Sequence, residues 1–275
     1  MHSANEWRDR IGQIWADHYV ATDRVFGGLT QVLLERLARI PGDTICDIGC
    51  GAGELSLALA SARPHATVLG IDISPDMIAA ARARAGDNPH VQFAVGDAAR
   101  WTPAPAFRPD LLVSRHGVMF FDDPEAAFRH IGGVAAKAAH LVFSCFRSPE
   151  GNPWATESAR ILDIPRPADP YAAGPFAFAE EEHVRAILAR AGWRQVTMDP
   201  VDFAMVGGVG SDSVDQALHF FTHIGPTAEA LRDIADAGEK EALIQRLRQW
   251  IARFRSGDVV SFPAQAWIVS ARWND

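Results

Sequence analysis

The chain has 275 residues, of which 48% are hydrophobic and 22% charged, and its formal net charge is −8. This is the composition of a packed globular protein, one large domain or one domain with a sizeable insertion, and it excludes wholesale disorder. The acidic excess argues against sequence-independent binding to nucleic acid, and no uncharged apolar run approaches the roughly 20 residues of a membrane span.

The opening stretch MHSANEWRDRIGQIW is polar and lacks the apolar core of a secretory signal. The three cysteines, Cys46, Cys50 and Cys145, cannot all pair and form no CxxC, so they read as small core residues of a protein from a reducing compartment. The expected location is the cytoplasm.

In chain order, Trp7, Ile11, Ile14, Trp15 and Tyr19 recur at spacings of three and four, which predicts an amphipathic helix over 5–20. A second helix is predicted near 25–40, stopped by Pro41-Gly42. Then the rhythm changes: strands at 44–49, 66–73, 91–97, 109–115 and 140–146 alternate with helices at 53–62, from Pro75, and near 124–138. Ser74-Pro75 supplies an N-cap and a first-turn proline. Such alternation predicts βαβ units and a parallel sheet covered on both faces. Residues 149–178 carry six prolines, from Pro149 to Pro175, and read as an irregular covering segment anchored by Trp154, Tyr171, Phe176 and Phe178. A helix at 180–191 ends at Gly192, and a sixth strand follows at 194–206. Three helices, near 212–223, 227–237 and 239–255, precede a seventh strand at 261–273.

The strongest signal is Asp47-Ile48-Gly49-Cys50-Gly51-Ala52-Gly53, between a strand and a helix. Glycines permit backbone angles closed to other residues and let a ligand approach the main chain, where helix-start N–H groups are available. The G-x-G-x-G spacing departs from the G-x-G-x-x-G of dinucleotide sites. An acid at the strand end would repel a pyrophosphate but suits a ligand bearing an ammonium group. Asp72 ends the next strand, where a carboxylate can accept hydrogen bonds from ribose hydroxyls, and Asp97 ends the third.

DIGCGAG, GIDIS and GDA resemble the successive motifs of the class I S-adenosylmethionine-dependent methyltransferases, closely over residues 41–146. SRHGVMFF (114–121) is similar to a bacterial branch with SRFGVMFF there, and Asn152-Pro153-Trp154 and GPFAF (174–178) fit that branch; His116 departs from it. The resemblance implies a Rossmann-like α/β fold: a doubly wound seven-stranded sheet, its last strand antiparallel, with helical lid insertions. It divides the chain into N-terminal covering helices (1–40), a cofactor-binding core (41–148), an irregular cap (149–178), completion of the sheet (179–206 and 259–275) and a helical lid (207–258).

The resemblance also assigns roles around S-adenosyl-L-methionine. Gly49, Cys50, Gly51 and Gly53 would line the methionine moiety and Asp47 would face its amino group. Asp72 would hold the ribose hydroxyls, Ile73 and Met77 would pack on adenine, and Asp97 and Ala98 would meet its edge. Ser114 and Arg115 are further cofactor-site candidates; Arg115 reads equally as an ion-paired residue. Tyr19 is either a cover over the cofactor or a core contact. His116 is the candidate general base, weighed against a packing role.

The expected reaction is in-line methyl transfer to an oxygen, nitrogen or carbon of a small molecule, catalysed chiefly by positioning. The alternatives are a peptide or protein-end methyltransferase and a catalytically silent cofactor-binding module. Nucleic-acid methylation lacks its N/D-P-P-Y/F/W signature, and a homodimer is compatible with the reading. No metal site is expected: His219 and His223 share a helix face, but a zinc site needs three or four ligands and no third is evident in the sequence.

Overall fold

The computed structural model describes residues 4–274; residues 1–3 and 275, part of the terminal ranges given above, lie outside it. Three helices open the chain, α1 (Ala4–Arg8), α2 (Arg10–Asp17) and α3 (Tyr19–Leu37). One expected helix over 5–20 is therefore two, broken at Asp9, and the second starts at Tyr19, not near residue 25. The stripe of Val25, Phe26, Leu29, Leu33 and Leu37 on α3 is buried.

The core then alternates as the sequence predicts. Strands β1 (Thr44–Ile48), β2 (Thr67–Asp72), β3 (Val91–Val95), β4 (Leu111–Arg115) and β5 (His140–Phe146) are parallel neighbours, with α4 (Glu54–Ala62), α5 (Pro75–Ala85) and α6 (Pro124–Val134) between them. Ser74 Oγ accepts the Met77 amide at 3.3 Å and Pro75 begins α5, so the expected cap is formed. β1 and β4 are buried along nearly all their length because helices lie on both faces of the sheet.

The segment 149–178 is less irregular than expected. Pro153, at the first helical position, opens α7 (Pro153–Ile161). The side chain of Asn152 explains the order: it spans from Ser148 O to the main chain of Gln265, on the last strand, at 3.0–3.2 Å. After α8 (Glu181–Ala191), closed by left-handed Gly192, comes the long strand β6 (Trp193–Val209). Three helices, α9 (Ser213–His223), α10 (Gly225–Asp233) and α11 (Ala237–Ala252), precede a two-residue β7 (Arg255–Ser256) and the closing strand β8 (Val259–Trp273).

The sheet order is β3-β2-β1-β4-β5-β8-β6, with β8 antiparallel to both β5 and β6; the small β7 pairs only with β8, making eight strands where seven are expected. The order reverses at β1/β4, which is where open α/β sheets leave a crevice at the carboxyl ends of their strands. No helix among the described residues is long and apolar enough to cross a membrane.

Candidate active site

The crevice begins with the turn after β1. Gly49, Gly51 and Gly53 have φ of +64°, +55° and +83°, a region that costs other residues about 1–2 kcal/mol each. At Gly49 the requirement is double, since a Cβ would sit 3.0 Å from the Gly117 Cα. The β1 turn and the loop after β4 thus touch main chain to main chain. Gly53 stands at the N-cap of α4 without a side-chain cap bond.

Carboxylates from successive strand ends surround this turn. Asp47 is buried and accepts the Ser56 hydroxyl at 2.6 Å. Burial raises its pKa to about 6, against the opposing pull of the Ser56 hydrogen bond and of the Arg115 charge. Asp72 accepts the Gly51 amide on one oxygen and the Ser74 amide on the other, each at 2.9 Å; burial raises its pKa although these amides favour the charged form. Asp97 accepts the Ala99 amide at 3.0 Å. Each carboxylate oxygen has more than one acceptor position, so these bonds leave lone pairs for a ligand.

β4 supplies the opposite wall. The Ser114 hydroxyl donates to Ile48 O at 2.7 Å and accepts the Gly117 amide at 3.2 Å. It is fully buried and does not line the cavity, which corrects its expected cofactor contact: its work is to lock the two loops together. Arg115 does line the cavity, paired with Glu54, bonded to Thr30 Oγ1 at 2.7 Å and lying over the Phe26 ring. The ion-paired alternative is the one realised.

His116 has φ +61°, unusual outside glycine. Its ring stacks on Phe146 at 4.1 Å and meets Phe26 edge-on at 5.5 Å; Nδ1 lies 3.4 Å from Ser144 Oγ. Nε2 is buried with no hydrogen-bond partner among the described residues. Burial, reinforced by the neighbouring Arg115 charge, lowers the pKa of His116 to about 3. A base that weak is poorly matched to proton abstraction near neutrality. The environment describes a neutral imidazole that can make one directed hydrogen bond.

These groups share a cavity of about 490 Å³, within the range of small-molecule sites, about 300–1,000 Å³. Asp47, Gly49, Cys50, Gly51, Asp72, Ile73, Met77, Asp97 and Ala98 line it together; Gly53 shapes the turn from outside. Trp7, Ile11, Trp15 and Tyr19 of the N-terminal helices line it too, and the Arg84 guanidinium, paired with Asp23 at 2.6 Å, lies over the Tyr19 ring at 4.5 Å. From the chain's later half come Trp154, Met205, Phe220, Phe221 and Ile224. Sequence reasoning offered HFFTH (219–223) as either an acceptor-pocket wall or helix packing and Trp154 as an anchor of the covering segment, and left Met205 and Ile224 unassigned, because apolar residues at helical spacing look the same in a core and in a pocket wall.

Three histidines meet outside the cavity. His18, at the α2–α3 junction, joins His219 and His223 of α9; one ligand atom from each lies within 4.8 Å of the others. His18 is the third member that sequence spacing could not reveal, 201 positions from His219. The cavity lining itself combines the aromatic Phe26, Phe146, Trp154, Phe220 and Phe221 with Arg115 and His116.

Residues 45–137 match the family model described as methyltransferase domain. A trans-aconitate 2-methyltransferase of Methylobacterium radiotolerans is 36% identical over 115 residues, 41% of this chain and 42% of that one. The chain spans less than half the length of such curated relatives. Among solved structures, Haemonchus contortus phosphoethanolamine N-methyltransferase 2 in complex with S-adenosyl-L-methionine aligns with all of this chain and 61% of its own, at 15% identity and a TM-score of 0.59. The magnesium protoporphyrin IX methyltransferase of Synechocystis with bound S-adenosylhomocysteine aligns with 71% of this chain and 90% of its own, at 21% identity and a TM-score of 0.52. These two likenesses show a shared fold.

Proposed function

We propose that this chain, whose residues 45–137 match the methyltransferase-domain model, is a class I S-adenosylmethionine-dependent methyltransferase that transfers a methyl group from S-adenosyl-L-methionine to a small molecule. The observation that carries the reading is the common cavity: a glycine turn that no Cβ may fill, three strand-end carboxylates around it, and an aromatic enclosure opposite.

The residues fit the cofactor by donor chemistry. Asp47 offers an anion to its ammonium group, and Asp72 offers acceptor positions to the ribose hydroxyls. Ile73 and Met77 give adenine an apolar bed whose edge meets Asp97 and Ala98. Gly49, Cys50, Gly51 and Gly53 make room for the methionine moiety, and Tyr19 covers it. Arg115 acts on the site through charge, held between Glu54 and Thr30. When bound, the cofactor supplies an electrophilic sulfonium methyl group.

The chain's own contribution is then to place the acceptor in line and exclude water. Phe26, Phe146, Trp154, Met205, Phe220 and Phe221 form a wall suited to a small molecule with an apolar body. His116, neutral and with Nε2 unsatisfied, orients the acceptor by a hydrogen bond and removes no proton. The acceptor atom therefore brings its own electron pair, the lone pair of a carboxylate oxygen or an unprotonated amine or the π electrons of an electron-rich carbon, and any proton displaced from the methylated product leaves to solvent. The N-terminal helices α1–α3, the segment 149–178 and the insertion 207–258 act as lids in this reading.

Calorimetry with S-adenosyl-L-methionine and with NAD tests it: binding of the first and not the second is expected. Binding of NAD alone would end the proposal. Transfer of isotopically labelled methyl groups into a metabolite extract would then identify the acceptor.

A further inference from the structure

From the junction of His18, His219 and His223 we propose that a zinc-class divalent cation clips the N-terminal helices to the helical insertion, two elements that both line the cavity. The inference stands on this geometry alone and does not require methyl transfer to be the reaction.

His219 and His223 lie one turn apart on α9 and share a face, while His18 projects from the α2–α3 junction onto them. His18 Nδ1 is 3.3 Å from His219 Nε2. Two nitrogens on one tetrahedral ion at about 2.0–2.1 Å stand roughly 3.3–3.4 Å apart, so this pair already has the spacing of one edge of the coordination polyhedron. His223 Nδ1 lies 2.9 Å from His219 O and donates to it, which fixes the tautomer and leaves Nε2 as the ligating atom. One ring nitrogen from each of the three histidines lies within 4.8 Å of the others.

His18 and His219 share a hydrogen bond across this contact, and a cation would take the place of its proton. Three imidazoles packed ring to ring, at centroid distances of 4.0, 4.9 and 5.0 Å, gather lone pairs that repel unless a proton or a cation lies between them. His18 is half-buried and the other two are exposed, so an ion can enter from solvent and keep a water in its fourth position. Asp17 adds a negative charge beside His18; Arg24, on the same side of His219, is held to Gly207 O at 2.9 Å. Imidazole nitrogen in a three-ligand site selects zinc and its neighbours over magnesium or calcium.

The consequence lies in the adjoining residues. Tyr19 follows His18, and Phe220 follows His219; both line the cavity, from elements far apart in sequence. An ion at the clip would cross-link these two elements, restraining the cavity wall that Tyr19 and Phe220 form and slowing exchange of whatever the cavity holds.

Cobalt(II) titration of the full, untagged chain tests the site, because tetrahedral cobalt absorbs visibly. One equivalent should bind with tetrahedral bands and be displaced by zinc. H219Q should weaken binding at least about tenfold and H18N/H223Q should abolish the bands, while H65Q, on the exposed His65, changes nothing. Hydrogen exchange in residues 10–24 and 213–224 should slow with zinc in the native chain and not in H219Q. Absence of tetrahedral bands, or equal affinity in H219Q, overturns the site; bands without exchange protection overturn the clip. Each of these readings is made without cofactor, so they fail or succeed independently of the calorimetry above.

Discussion

Asp72 Oδ2 accepts the Gly51 amide at 2.9 Å, so the carboxylate that ends β2 also holds the glycine turn that ends β1. Its other oxygen accepts the Ser74 amide and steadies the start of α5. One side chain therefore sets the relative position of two strand ends and still presents lone pairs to the cavity. The Asp72→Ala variant should weaken S-adenosyl-L-methionine binding by about 1–3 kcal/mol, since it removes both the ligand acceptor and the support of the turn. Asp72→Asn, which keeps one acceptor oxygen, should lose less. Calorimetric affinities within error of the native value would mean that the ribose lies elsewhere.

In the proposed reading, Asp47 should make cofactor affinity depend on pH. Burial raises its pKa to about 6, with Arg115, Asp72 and the Ser56 hydroxyl as its charged and polar neighbours. An ammonium group beside it favours the ionised form and lowers that value, so binding releases a proton and affinity rises from pH 5 to pH 7. For the unliganded fold the sign is opposite: a carboxyl harder to ionise when folded loses stability as pH rises from its unfolded value, about 4, to 6, and is level above. Calorimetry at pH 5.5 in buffers of different ionisation enthalpy should show net proton release. Proton uptake, or none, would place the ammonium away from Asp47.

His116 should impose no ionisation limb on the rate between pH 5 and 8, because its pKa lies near 3 in the folded chain. His116→Asn tolerates the left-handed backbone and should slow transfer by roughly ten- to a hundredfold at unchanged cofactor affinity, through loss of the acceptor's hydrogen bond. A native rate profile with a limb near pH 6–7 that vanishes in His116→Asn would restore a proton-transfer role.

Gly49→Ala should destabilise the chain by about 1–3 kcal/mol in chemical denaturation. The φ of +64° penalises any Cβ, and the added atom would push Gly117 away from the β1 turn. Gly27→Ala, on α3, where a Cβ meets nothing within 4 Å, should be neutral or slightly stabilising. Equal midpoints for the two variants would show that the close approach of the two loops is not required.

How much was legible in the sequence depends on the range of the interaction involved. The alternation of apolar strands and helices, the Ser74-Pro75 start of α5, the left-handed Gly192 and the glycine turn with Asp47, Asp72 and Asp97 are all local or nearly so, because pleat, helical turn and backbone angle act over a few residues. Strand ends in a parallel sheet share one edge by topology, so even the meeting of the three acids followed from their places in the chain. What only the tertiary structure decided were pairings between distant segments. Ser114 turned from the cavity to Ile48, Arg115 was claimed by Glu54, His116 was wedged neutral between Phe26 and Phe146, and His18 was brought to His219. In each case a side chain's role was fixed by burial and by partners contributed from elsewhere in the fold, and neither is encoded in the spacing of its neighbours along the chain.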